Sequence, residues 1–125
     1  MSQYEHTCMI RGDGGKTIRA VLDRICDKWT LLIVATLDQG RLRFGELHRQ
    51  IPGISQRMLT LTLRNLERDG LVSRTVHAEV PPRVEYTLTA TGRSLIPPAL
   101  ALAGWALEHI AEIEASRAAY GDRPG

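Results

Sequence analysis

Residues 44–72 read Phe-Gly-Glu-Leu-His-Arg-Gln-Ile-Pro-Gly-Ile-Ser-Gln-Arg-Met-Leu-Thr-Leu-Thr-Leu-Arg-Asn-Leu-Glu-Arg-Asp-Gly-Leu-Val. The stretch contains two helical runs with punctuation between them. Gly45 to Gln50 is expected to form a short helix, with Phe44 and Leu47 turned inward. Ile51-Pro52-Gly53-Ile54 is a turn, because Pro fixes one torsion and Gly permits an unusual one. Ser55 is a natural N-cap, and the helix after it is expected from Gln56 to about Asp69, with Gly70 as its stop. With Gln56 at zero and 100° per residue, Leu59, Leu63 and Leu66 fall at about 300°, 340° and 280°, an arc suited to burial. On the opposite side, Arg57, Leu61, Arg64 and Arg68 lie at about 100°, 140°, 80° and 120°, with Thr60 nearby at about 40°.

Working outward, Leu71 to Ala78 and Arg83 to Leu88 are rich in β-branched residues and read as two strands joined by Glu79-Val80-Pro81-Pro82. Leu42-Arg43-Phe44 is long enough for one small strand only. Upstream, Ile18, Val21, Leu22 and Ile25 mark one face of a helix beginning at Lys16. After a break near Asp27-Lys28, an apolar helix is expected from Trp29 to Leu37, with Leu32, Ile33 and Leu37 spaced for burial and Gly40 as its cap. Downstream, Thr89 caps a last helix that runs, disturbed at Pro97-Pro98, to about Ala119. A flexible arm is expected over 1–15, the folded unit over 16–119 and a frayed tail over 120–125. This order defines a mainly α fold with a small β hairpin (α+β), a winged helix-turn-helix, whose second helix enters the major groove of DNA.

The chain has 125 residues, 43% of them hydrophobic and 24% charged, which fits one globular domain. Its apolar runs are far shorter than the roughly 20 residues of a membrane span. No basic-then-apolar leader opens it, and two cysteines make no disulfide framework, so a cytoplasmic setting and no membrane partner are expected. The net charge of +2 is unevenly spread. From Arg41 to Arg93 there are nine Arg, no Lys and five acidic residues; the remainder carries seven basic and nine acidic residues. Arginine offers a planar fork suited to phosphates and guanine edges.

These features nominate double-stranded DNA as the partner. Ser55, Gln56, Arg57, Thr60, Leu61, Arg64 and Arg68 are the candidate contacts of the second helix, and Arg43, Arg74, His77 and Arg83 those of the small strand and hairpin. Each has a plainer reading. Arg64 and Arg68 have Glu67 and Asp69 as local acids, Ser55 is sufficient as a cap, and Leu61 has neighbouring loops to pack on. Arg57 is the hardest to explain structurally, since a cation in a first turn opposes the helix dipole and a DNA phosphate or guanine compensates it.

Several strings resemble one family. They are Lys28-Trp29, Arg43-Phe44-Gly45-Glu46-Leu47, Ile51-Pro52-Gly53-Ile54-Ser55, Met58-Leu59-Thr60, the run Leu63 to Val72, Val80 to Tyr86, and Leu88-Thr89-Ala90-Thr91-Gly92. Together they resemble the HxlR family of bacterial winged-helix transcriptional regulators over about residues 20–107. The resemblance implies a homodimer on a palindromic operator, more often a repressor, built through the first helix and the long last helix. Ile18, Val21, Leu22 and Ile25, with Leu100, Ala103, Leu107 and Ile110, are then the dimer surface. In some members an N-terminal cysteine responds to oxidants or electrophiles, which nominates Cys8 as the site of an oxidant, electrophile or small-molecule effector. Cys8 lies farther from Lys28-Trp29 than is usual in the family, and Met9 replaces the usual Pro. Cys26 is the second candidate thiol, although Ile25 and Trp29 around it suggest a buried small hydrophobe.

No phosphate loop, zinc-protease motif, nucleophile elbow or Cys-x-x-Cys is present, so neither an enzyme nor a cofactor is expected. The histidines are scattered, which argues against a metal site. The remaining alternative is a winged-helix protein-interaction module without DNA binding, which predicts no salt-dependent affinity for duplex.

Overall fold

The structure, a computed structural model, describes residues 15–121. Helix α1 (Lys16–Ile25) is followed by α2 (Lys28–Leu37), strand β1 (Leu42–Arg43), α3 (Phe44–Gln50) and α4 (Gln56–Arg68). Strands β2 (Val72–His77) and β3 (Arg83–Leu88) form the hairpin, and α5 (Ala90–Ser94) and α6 (Ile96–Gly121) close the chain. The architecture is the winged helix-turn-helix read from the sequence.

The local signals act where they were read. The Ser55 Oγ accepts the Met58 amide at 3.0 Å, satisfying one of the donors that the first turn of α4 leaves without a partner. Helix α4 stops at Arg68, and Gly70 turns the chain with φ +77°, a region costly for any residue with a Cβ. At the start of α3, the Glu46 carboxylate accepts the Arg43 amide at 3.0 Å. Asp27, in extended backbone, divides α1 from α2 as expected.

The core is one cluster. Ile33, Val34 and Leu37 of α2 meet Leu47 of α3 and Leu59, Leu63 and Leu66 of α4. Leu42, Leu71, Val72 and Leu88 join from the sheet, with Trp29, Phe44 and Tyr86 packed against its margin. The sheet order is β1-β3-β2, all antiparallel, with Leu42 opposite Tyr86 and Val72 opposite Leu88. Gly92 seals the junction with α5. A Cβ there would drive into the Leu71 carbonyl oxygen and lie 3.2 Å from Leu88 Cδ2.

The structure corrects the sequence reading in four places. Leu32 is 46% exposed, and Thr30 and Val34 are buried beside Ile33 and Leu37 instead. Periodicity misassigns it because α2 is apolar nearly all round, so spacing alone does not fix the inward face. Cys26 is exposed and not a buried hydrophobe, because it is the C-cap of α1, a helix that itself has no buried residue. The expected single last helix is two. It breaks at Leu95, and Pro97 and Pro98 then fall in the first turn of α6, where missing amides cost no helical bond. Finally, α6 runs through Tyr120 to Gly121, beyond the expected start of a tail at 120. Most of the expected arm, including Cys8, lies outside the described residues.

Helices α1 and α6 contain no buried residue. Leu107 is 75% and Leu100 64% exposed, and Val21, Leu22, Trp105 and Ile110 are also exposed; Ala103 lies among them. Ile18 and Ile25 are half-buried. Trp105 stacks on His109 with ring centroids 4.7 Å apart, so even this polar side chain extends the flat outer surface of α6. An apolar surface of this extent on a small chain marks an interaction site.

Candidate nucleic-acid interface

Helix α4 presents the two faces its sequence describes. Leu59, Leu63 and Leu66 are buried, while Arg57, Arg64 and Arg68 are exposed. Leu61 stands among them, 51% exposed. Thr62, which the wheel did not single out, is also buried; its hydroxyl donates to the Met58 carbonyl at 2.8 Å, which makes its burial tolerable.

The local acids do not engage these arginines. Asp69 pairs across the fold with Arg24 of α1 at 2.9 Å, not with Arg68 or Arg64. Arg57, Arg64, Arg68 and Arg74 make no side-chain ion pair or hydrogen bond with the described residues. The plainer reading of a locally paired stripe therefore does not hold. Two other candidates are partly committed elsewhere. The Thr60 hydroxyl donates back to Gln56 O at 2.9 Å, and Ser55 Oγ is occupied in capping.

The outer surface of α4 continues into a trough. Phe44, Thr60 and Arg64 line its middle. Gln56, Arg57 and Leu61 extend it at one end, and Glu67, Arg74 and Tyr86 at the other. Arg74 reaches this trough because it pairs with Tyr86 across the hairpin, on the same sheet face as Val72 and Leu88. One face thus collects arginines from α4 and β2. Phe44 is the residue sequence reading missed here. It packs inward as expected, partly buried against the core, but its role in also lining the trough is not evident from spacing.

The other hairpin candidates do not join it. His77 lies opposite Arg83, and Glu85 opposite both Thr75 and Arg43, so these side chains share the reverse face of the sheet. There the Glu85 Oε1 lies 2.5 Å from His77 Nε2, 3.6 Å from Arg83 Nε and 3.9 Å from Arg41 Nη1. The Arg83 Nη2 lies 3.4 Å from Glu79 Oε1. Among the described residues, the hairpin therefore carries Arg74 without an ion pair on the α4 side and a paired charge cluster on the reverse. Glu85 was not among the sequence candidates; strand register, not spacing along the chain, brings it to His77 and Arg41.

Among the described residues, no group of three or more His, Cys, Asp or Glu side chains is placed to hold a metal ion. No helix of these residues is long and apolar enough to cross a membrane.

A helix held by a tight turn, with unpaired arginines on its outer face and a β hairpin beside it, defines a DNA-binding transcriptional regulator of the winged helix-turn-helix class. Known proteins agree. An HTH-type transcriptional regulator of Methanothermobacter thermautotrophicus is 52% identical over 89 residues, covering 71% of this chain and 68% of the relative. The HTH-type regulator YdeP of Bacillus subtilis is 44% identical over 108 residues, 84% of each chain. The solved structure of the redox regulator HypR in its reduced form matches with a TM-score of 0.72 and 42% identity, over 80% of this chain and 99% of that one. The model of the HxlR-like helix-turn-helix family matches residues 24–114, and the chain belongs to that family.

Proposed function

We propose that two copies of this chain bind a palindromic DNA operator and repress transcription from it. Helix α4 of each copy enters a major groove, the two grooves being about 34 Å apart along the duplex. In this reading Arg57, Arg64 and Leu61 meet base edges and thymine methyls, and Arg68, Arg74 and Arg43 meet phosphates. Gln56, Thr60 and Ser55 flank them, and Arg83 and His77 serve the hairpin. The observation that carries this is the shared outward direction of Arg57, Arg64 and Arg68 with no local acid on them. The exposed stripes of α1 and α6 form the surface between copies. A regulator of this kind works in the cytoplasm and needs no catalytic chemistry.

Fluorescence anisotropy on duplex from beside the protein's own gene is the test. Affinity is expected to fall steeply with salt, since each neutralised phosphate releases counterions. Arg57→Gln is expected to lower the preference for operator over scrambled duplex by about tenfold, a loss of the size one guanine contact supplies. Equal, salt-insensitive binding of both duplexes would leave the protein-interaction module as the better reading.

For the effector, we infer an oxidant or electrophile acting on a thiol. The support is the similarity to HypR, itself a redox regulator, and the exposure of Cys26. Diamide or a quinone is expected to release the parent chain from operator duplex, and a Cys8→Ser/Cys26→Ser chain is expected to stay bound. Equal release of both would remove the thiols from the account.

A further inference from the structure

The carboxylate of Glu85 stands among basic side chains on the sheet face opposite to that of Arg74. Its side chain is 17% exposed and stands among three groups able to carry positive charge, drawn from three segments. His77 comes from β2, Arg83 from β3, and Arg41 from the residue before β1. Arg43 of β1 lies directly opposite Glu85, and the exposed Glu79 is the second acid at the hairpin tip. The Nε of Arg83 and the Nε2 of His77 are sealed from solvent and make no hydrogen bond with the described residues; the carboxylate beside each is that of Glu85, an ion-pair contact at 3.6 Å and 2.5 Å.

A guanidinium has two usable edges. In Arg83 the Nε edge is turned to Glu85, and the Nη2 end points to the half-exposed Glu79 at the tip. Glu79 is an exposed partner on a loop, and a phosphate with its stronger charge is able to replace it. The Glu85 side chain is about half as accessible as that of Arg83, 17% against 31%, and so is less open to exchange with a phosphate.

We propose that Glu85 is a positioning residue for DNA binding: it anchors Arg83 by the Nε edge, and with it Arg41 and His77, so that the Nη end of Arg83 is presented at the tip to the DNA backbone. This rests on the DNA reading above. It leads to an outcome opposite to that of simple charge counting. Removing a negative charge from a DNA-binding face should tighten binding and steepen its salt dependence. Removing an anchor should weaken binding and flatten that dependence.

The test is a double-mutant cycle on the full chain with operator duplex, using Glu85→Gln, Arg83→Gln and the pair together. Glu85→Gln keeps shape and an acceptor oxygen while deleting the charge. It is expected to bind about tenfold more weakly, the equivalent of about 1.4 kcal/mol, with a log-log salt slope shallower by about 0.9, one phosphate contact. The double variant is expected to bind no more weakly than Arg83→Gln alone. Tighter or unchanged binding by Glu85→Gln, or additive losses in the double variant, would overturn the proposal. So would a Glu85→Gln chain that fails to melt cooperatively, because the carboxylate would then serve the fold and not the contact. Arg57→Gln run alongside separates the two readings. If it weakens operator binding while Glu85→Gln does not, only the positioning role is lost; if Arg57→Gln has no effect, the DNA reading itself is at fault.

Discussion

Gly92→Ala is expected to lower the stability of the domain by about 3 kcal/mol, near the upper end for overpacking a core, and to drop the melting temperature by an amount of order 10 °C. The reason is contact and not backbone freedom, since Gly92 has no positive φ. A Cβ at this position would press on the Leu71 carbonyl oxygen, with the Leu71 carbonyl carbon 3.1 Å and Leu88 Cδ2 3.2 Å away. The backbone oxygen has nowhere to retreat, because it accepts the Thr89 amide at 3.0 Å. Thr89 in turn bonds Gly70 O at 2.6 Å and caps α5 through the Gly92 amide at 3.1 Å. The crossing thus ties the end of the recognition helix to the end of the hairpin. A methyl there moves both. Thermal melts followed by circular dichroism check this; a Gly92→Ala chain melting within about 2 °C of the parent would mean the crossing relaxes easily, against the packing described.

Leu107→Asp is expected to give a chain that folds but no longer pairs, and whose operator affinity falls by about a hundredfold or more. A charge at a position 75% exposed in the single chain costs the fold almost nothing. In the proposed dimer it would be buried against apolar neighbours without a partner, which strongly disfavours association. The DNA effect follows from linkage of two sites. A dimer that has docked one helix delivers the second at high effective concentration, a gain of roughly 10²–10⁴. Sedimentation velocity gives the assembly state, and anisotropy on full and half operators gives the affinity. A Leu107→Asp chain that remains dimeric would move the interface off this stripe, and a monomer with parental affinity would show that single copies suffice on DNA.

Much of this is legible in the sequence, and for identifiable reasons. The helix-turn-helix could be read because its determinants are local. Ser55 caps within three residues, Gly70 ends the helix it follows, and Leu59, Leu63 and Leu66 recur at helical spacing. The outward arginines of α4 follow from the same periodicity. Where periodicity carries little contrast, reading failed. Helix α2 offers Leu31, Leu32, Ile33, Val34 and Leu37 together, and only packing against α3, α4 and the sheet decides that Leu32 stays outside. Cys26 failed for a related reason, since apolar neighbours in sequence do not bury a residue that caps a helix at the surface.

The hairpin shows the deeper limit. Arg74, His77 and Arg83 look like one basic set when counted along the chain. A strand sends alternate side chains to opposite faces, so Arg74 joins α4 while His77 and Arg83 turn to Glu85. That division, and the cluster it creates, depends on which residue of β2 lies opposite which residue of β3. Pairing register is a property of the assembled sheet, and no single segment states it.

The break at Leu95 has a mechanical consequence. Beyond it α6 runs 26 residues, about 39 Å at 1.5 Å per residue, and among the described residues Ile96 of its first turn packs against the core. Its length makes such a rod sensitive to the angle at which it leaves the core. A change of about 5° in that angle carries its far end by about 3 Å, close to the spacing of one base-pair step on a strand. In the proposed dimer, joined along these rods, the separation of the two reading heads would follow from an angle at the root, and small rotations there would bring the heads into or out of phase with the turns of the double helix.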